Sequence, residues 1–279
     1  MNFRLCAFAD ESSNDFSGQI AALKKHGLSG LEIRNLDGKN VADLSVSEAK
    51  AIRRRLEDEG LCVWSVGSRI GKIGIREDFA PHLDELKHTL ELAEALGADK
   101  MRIFSFFIPN GDDPEVYKDE VMERLERFTL AARGSGIKLC HENEKEIYGD
   151  TAKRCLEIAE TFEEIGIIYD PANFIQCSED TLAAWDMLEK RIVYMHIKDA
   201  LADGRIVPAG HGEGRIPELL RRYAAIGGGV LTLEPHLYGF EGLGALERRT
   251  VDQMDFPYLY KDGESAFGAA VDALRTLIN

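Results

Sequence analysis

The sequence predicts an α/β protein built as one (β/α)8 barrel domain over residues 1–279, and three observations carry that prediction. Short apolar runs alternate with longer amphipathic stretches from end to end, and eight such pairs follow one another. No stretch rich in Pro, Gly or Ser marks a linker between domains. The length is near that of one such barrel. Regular β–α alternation implies parallel strands with right-handed crossovers, and eight units favour closure into a barrel over an open sheet.

The elements read in order as follows. Phe3–Ala9 is the first strand, followed by a helix with Phe16, Ile20 and Leu23 on one face and Gly27 as its stop. Gly30–Ile33 is the second strand. Ser45 and Glu48 form a capping-box pattern that opens a helix closed near Gly60. Leu61–Val66 is the third strand; Leu83, Leu86, Leu90, Ala93 and Leu96 line the next helix, which Gly97 ends. Lys100–Phe107 is the fourth strand, and Asp113-Pro114 starts a helix with Pro in its first position and Val121, Leu125, Phe128 and Ala132 on its buried face. Ile137–His141 is the fifth strand, with Asp150 as cap of the helix behind it. Ile165–Tyr169, Ile192–Ile197 and Val230–Leu233 complete the strands, followed by helices at Thr181–Lys190, Ile216–Ile226 and Glu264–Ile278. Tyr238–Gly263 shows no clear pattern and reads as a lid, an interface arm or an ordinary long loop. His26, His82 and His88 fall on helices and are expected to face solvent.

Thirty-four basic against forty-nine acidic residues give a formal charge of −15. Such a surface repels nucleic-acid phosphates and anionic membranes, so neither is an expected partner. The five cysteines are widely spaced, odd in number and without a C-x-x-C pair, which argues against a disulfide framework and a Cys-rich zinc site. The N-terminal apolar run before Asp10 is too short for a signal peptide, and no long apolar span follows. A cytoplasmic protein is expected. The sequence leaves the oligomeric state open, self-association included.

In a parallel barrel the chemistry lies at the C-terminal ends of the strands. The fifth strand runs into His141-Glu142-Asn143-Glu144 and the sixth into Tyr169-Asp170-Pro171-Ala172-Asn173. The seventh carries Tyr194-Met195-His196-Ile197-Lys198-Asp199, and the eighth ends in Leu233-Glu234-Pro235-His236. Four consecutive strands therefore present Glu142, Asp170, His196 and Glu234 at one rim. Three carboxylates converging without a cation would repel one another, and a divalent ion resolves that. Three carboxylate oxygens and one imidazole nitrogen suit Mn²⁺, Mg²⁺ or Co²⁺ better than structural zinc.

The segments HENE, YDPANF, MHIKDA and LEPH resemble the sugar phosphate isomerase/epimerase family, the xylose isomerase-like TIM barrels. That family includes ketose 3-epimerases, hydroxypyruvate isomerases and inosose dehydratases. The resemblance spans essentially the whole chain. It implies that Glu142, Asp170, His196 and Glu234 hold one divalent metal ion, Mn²⁺ first, with Mg²⁺, Co²⁺ or Zn²⁺ as alternatives. It also implies that Glu142 and Glu234 act as the catalytic acid/base pair. The implied reaction is isomerisation or epimerisation of a ketose, keto-sugar or related polyol by proton transfer through a metal-bound enediolate.

Further positions are candidates beside these. Glu32 matches a position that contacts substrate, with a strand-end salt bridge as the alternative. Lys198 and Asp199 lie in a segment beside the sugar. His211 sits in a Gly-rich loop resembling one that closes over the site, and Arg205 and Arg215 flank that loop where they could hold an anionic or polyhydroxyl substrate. Asn173 stands where many epimerases carry His: it can bind a hydroxyl but cannot titrate, which weakens assignment to the ketose epimerases in particular. Trp64 and Phe104–Phe107 read as an aromatic wall or as barrel core. An abasic-site endonuclease of the same barrel type is excluded by the net charge and the missing histidines. A metal-dependent dehydratase of a keto-inositol-like substrate remains the alternative, and a non-catalytic sugar-binding barrel is the third reading.

Overall fold

Each of the eight apolar runs forms a strand, and the strands pair in chain order until the first meets the eighth. The computed structural model describes residues 1–241, 243–244 and 254–279. The barrel strands are Arg4–Ala7, Gly30–Ile33, Cys62–Val66, Lys100–Ile103, Lys138–Glu142, Gly166–Tyr169, Ile192–Ile197 and Val230–Leu233. They close into a barrel in which every neighbouring pair is parallel. The second and sixth strands are buried at every position. The outer helices cover one face and the barrel interior fills the other, which is why these strands read as continuous apolar runs rather than alternating ones.

Local chemistry sets the helix ends. Val46–Asp58 opens on the Ser45–Glu48 capping box, with both reciprocal bonds formed. Phe79–Leu96 stops at Gly97, whose φ of 75° is a left-handed conformation that glycine adopts without a Cβ clash. The helix of Lys118–Ala132 buries Val121, Leu125, Phe128 and Ala132, as its spacing predicts. Pro114 starts a separate 3-10 turn, Pro114–Tyr117, just before that helix. All five cysteines are free. Among the described residues, no helix is long and apolar enough to cross a membrane.

Three expectations need correction. The fourth strand ends at Ile103 instead of Phe107, because the loop after the third strand captures the next residues. Phe104 N–H donates to Ile70 O at 2.8 Å and Phe106 N–H to Gly71 O at 2.9 Å. Phe106 turns with φ of 65° and joins Phe79 and Phe128 under the helices. Asp150 does not cap the helix Ala152–Thr161. It lies in a 3-10 turn and pairs with the Arg154 guanidinium, while Thr151 accepts the Arg154 N–H. His82 does not face solvent: its Nε2 accepts the Gly71 N–H at 2.7 Å and its Nδ1 lies 3.0 Å from Glu85. His26 and His88 are half-buried, the latter 2.9 Å from Leu44 O. Of the patternless stretch Tyr238–Gly263, residues 242 and 245–253 lie outside the described residues.

Candidate metal centre

Side chains of a strand alternate between its two faces, so every second residue points into the barrel. In the seventh strand the inward residues are Tyr194 and His196, and Lys198 follows at the same spacing. In the eighth, Glu234 and then His236 continue the series. The fifth ends on Glu142, and Asp170 directly follows the sixth. This parity brings Glu142, Asp170, His196 and Glu234 together at the rim, all buried, each with one donor atom within 4.8 Å of the others. His196 Nδ1 lies 2.9 Å from Glu142 Oε1, 3.4 Å from Glu234 Oε2 and 4.0 Å from Asp170 Oδ2. An ion held at about 2.1 Å by each donor separates neighbouring donors by about 3–4 Å, so the spacing fits a small divalent cation.

Carboxylates and cationic side chains shift one another's protonation throughout the cluster. Burial disfavours a charged His196, but the Glu142 and Glu32 carboxylates outweigh it and hold its pKa well above the ordinary value. Burial lifts Asp170 to about 6 against the pull of Lys198. Its Oδ1 caps the helix Pro171–Gln176 by accepting the Asn173 N–H. Its Oδ2 accepts no hydrogen bond, although Lys198 Nζ stands 2.9 Å away. Asp170 Oδ2 thus faces the other donor atoms of the cluster with the Lys198 ammonium as its charged neighbour.

The side chains behind these four include residues that sequence reasoning missed. Arg34 clamps Asp10 at 2.8 and 3.1 Å and reaches Glu234 Oε1 at 3.0 Å. Arg102 contacts Glu142 Oε2 at 2.9 Å and Glu234 Oε1 at 3.5 Å. Both guanidinium groups press on the Phe8 ring, at 4.4 and 4.9 Å, and the Phe8 ring meets His196 edge-on. Burial raises Glu142, but His196 and Arg102 more than offset this and hold it at about 2. Against the same burial, Lys198 and His236 hold Glu234 well below the carboxylate range. The signal for both arginines was present: Arg34 lies two residues beyond Glu32 and Arg102 two beyond Lys100, on the inward parity of their strands. His236 is a further such residue. Its Nε2 lies 3.5 Å from Glu234 Oε1 and 3.6 Å from Glu11 Oε1, and it holds a left-handed φ of 48°.

The other expected site residues divide. Lys198 is central, 2.9 Å from Asp170 and 3.1 Å from Glu234. Asn173 is beside the cluster, but its amide donates to Asn143 O at 2.8 Å and only weakly to Glu142 at 3.4 Å. Glu32 lies on the far side of the His196 ring, bonded to Nε2 at 3.1 Å. His141, next to Glu142, points away to Ser105 at 2.9 Å and is held neutral by burial. Trp64 is far from the rim, between Arg4 and Lys100. Arg205 is exposed and paired with Asp203 and Asp255, at the edge of a 360 Å³ cleft that Lys145, Gln176 and His236 also line. His211 is exposed against Tyr258.

Asp199 has no oxygen left for a substrate. Its carboxylate accepts N–H groups from Ala200, Gly210, Gly212 and Gly214 at 2.8–3.0 Å, so it fills the concavity of the Gly-rich loop from inside. A Cβ on Gly212 would come within 2.3 Å of Ala200 O, which explains the glycine there. Asp199→Ala is expected to lower unfolding free energy by about 1–3 kcal/mol by leaving these donors unpaired. Urea titration measures the loss, and limited proteolysis is expected to cut the chain between 201 and 215.

A family profile described as xylose isomerase-like TIM barrel matches residues 20–259. The chain belongs to that family. A comparison with curated protein sequences finds no match. Among solved structures, D-psicose 3-epimerase with D-tagatose from Clostridium cellulolyticum H10 superposes with a TM-score of 0.78 at 15% identity, covering 99% of this chain and 98% of that one. IolI protein with a binding zinc atom gives 0.74 at 16% identity, covering 100% and 98%. The probable 3-DHS dehydratase AsbF of petrobactin synthesis, from Bacillus anthracis, gives 0.74 at 17% identity, covering 99% of both chains. At these identities the likeness to these structures shows the shared barrel fold, and function has to be argued from the site.

Proposed function

We propose that this chain is a divalent-metal-dependent sugar isomerase or epimerase acting on a ketose, keto-sugar or related polyol by proton transfer. The observation that carries the reading is the buried meeting of Glu142, Asp170, His196 and Glu234, whose donor atoms lie within 4.8 Å of one another. These four residues would hold the ion, and the oxygen-rich set suits Mn²⁺, with Mg²⁺, Co²⁺ or Zn²⁺ as alternatives. The zinc in one relative and the ketose in another support this reading. The bound ion supplies Lewis acidity that polarises a carbonyl and acidifies the neighbouring C–H.

The remaining work falls to the chain's own groups. Glu142 and Glu234 enter the site from the fifth and eighth strands. Arg102 holds Glu142 Oε2 and Arg34 holds Glu234 Oε1, which fixes each carboxylate with its other oxygen toward the centre. One glutamate removes the proton beside the carbonyl, and the other returns a proton. Return to the opposite face of the same carbon inverts it, and return to the next carbon exchanges aldose and ketose. Lys198 lies between Asp170 and Glu234, at 2.9 and 3.1 Å, and is placed to bind a substrate hydroxyl. Exclusion of water from the buried cluster strengthens each of these interactions.

One observation favours a second reading. Arg34, Arg102, Lys198 and His236 all crowd Glu234, which keeps it deprotonated and suits a separate proton donor at that side. Such an arrangement would serve a dehydratase that protonates a departing β-hydroxyl. The deciding experiment is a panel of ketoses, keto-acids and inososes with Mn²⁺ in D₂O. The expected result is deuterium at the carbon beside the carbonyl, lost on chelation and restored by Mn²⁺. Loss of water from a 2-keto-inositol would decide for the lyase, and turnover indifferent to chelator would refute both.

A further inference from the structure

Glu32 is a carboxylate in the interior of a barrel strand, one residue before that strand's end, and is 1% exposed. The register between the second and third strands shifts between Leu31 and Glu32, so that Glu32 pairs with Ser65. Irregularities of this kind re-aim side chains near active sites. Here Glu32 turns across the barrel to the seventh strand. Its Oε1 accepts the Tyr194 hydroxyl at 2.7 Å, and its Oε2 lies 3.1 Å from His196 Nε2. The Tyr194 oxygen is in turn 3.1 Å from Ser65 Oγ. A buried carboxylate is costly unless it is paired, and this one faces the ring of the proposed metal ligand from the side opposite the other three carboxylates.

We infer that Glu32 is a positioning residue for the metal centre: it fixes His196 as the tautomer with hydrogen on Nε2, leaving Nδ1 to bind the ion, and Tyr194 and Ser65 hold Glu32 in place. An ionised carboxylate only accepts hydrogen bonds, so Nε2 must carry the hydrogen toward it. In a neutral imidazole this leaves the Nδ1 lone pair exposed, and Nδ1 is the nitrogen that faces Glu142, Asp170 and Glu234. Carboxylate partners of this type orient ligand histidines and raise their basicity. Glu32 thereby acts from behind the ring and has no contact with substrate. The inference rests on the metal reading proposed above.

Titration of the full-length protein with Co²⁺ tests it, by calorimetry and by the visible absorption of the bound ion. Glu32→Gln presents an amide that can donate to Nε2 and so favour the wrong tautomer. It is expected to weaken Co²⁺ binding about 10–100-fold and to alter the spectrum, with far-UV circular dichroism unchanged. Tyr194→Phe removes one hydroxyl and is expected to weaken binding in the same direction by less. Nitrogen-15 NMR of the Zn²⁺-loaded protein is expected to show hydrogen on Nε2 of His196. Wild-type affinity and spectrum in Glu32→Gln would overturn the inference. If that variant does not fold, unchanged affinity in Tyr194→Phe does so instead. A wild-type chain that takes up no Co²⁺ refutes the metal reading itself, before any variant is measured.

Discussion

Glu142→Gln is expected to lower kcat about 10²–10⁴-fold, the usual range for removing a positioned acid or base. The substitution keeps the shape of the side chain and an oxygen that can accept from Arg102, which now lies 2.9 Å from Oε2. It removes the lone pair that takes a proton. Metal uptake and the circular dichroism spectrum are expected to survive in large part, because Asp170, His196 and Glu234 remain. Unchanged kcat in the metal-loaded variant would remove Glu142 from the proton-transfer role and leave it a ligand only. Steady-state kinetics and metal titration on the same preparation separate the two outcomes.

Arg102→Met is expected to cost about 3–5 kcal/mol of stability, the range found when one partner of a buried ion pair is removed. Arg102 is almost wholly buried and spans Glu142, Glu234 and the carbonyls of Ser68 and Gly67. Its loss leaves Glu142 with His196 as its close charged partner and strips a positive group from a cluster already rich in carboxylates. Arg102→Lys is expected to recover only part of the loss, since an ammonium cannot reproduce the planar fork. Pairing Arg102→Met with Glu142→Met is expected to restore part of the stability relative to Arg102→Met alone, because it removes the buried carboxylate that Arg102 holds most closely. Equal unfolding free energies for wild type and Arg102→Met, measured by denaturant, would refute this account.

These expectations draw on features that were unevenly legible in the sequence. Gly97 as a helix stop, the Ser45–Glu48 box and the strands at Gly30–Ile33, Ile192–Ile197 and Val230–Leu233 depend on short-range chemistry, and a single sequence carries that chemistry. The four metal-capable residues were legible because each lies at the end of an apolar run. Arg34 and Arg102 escaped because a charge within or just beyond an apolar run reads as an interruption, and Glu32 was legible as a site candidate but not in its role behind His196. Their partners are contributed by other strands, and in Glu32 the direction also depends on a register shift that only pairing with the third strand creates. The early end of the fourth strand has the same origin: residues 70–73, far away in sequence, compete for its backbone. Asp199 was legible as a polar residue near the site, but its role was not, because its four partners are backbone groups.

The carboxylate of Asp199 inside the glycine loop has a consequence for ligand affinity. A loop rich in glycine pays a large entropy cost to become ordered, and in many proteins that cost is charged against binding. Here an anion belonging to the chain itself already occupies the hollow, so the ordering is completed during folding. A substrate meeting this wall is expected to bind with little further loss of backbone freedom, and the N–H groups of Gly210, Gly212 and Gly214 cannot be recruited to a phosphate. Recognition of any charged end of the substrate must therefore come from side chains elsewhere on the rim.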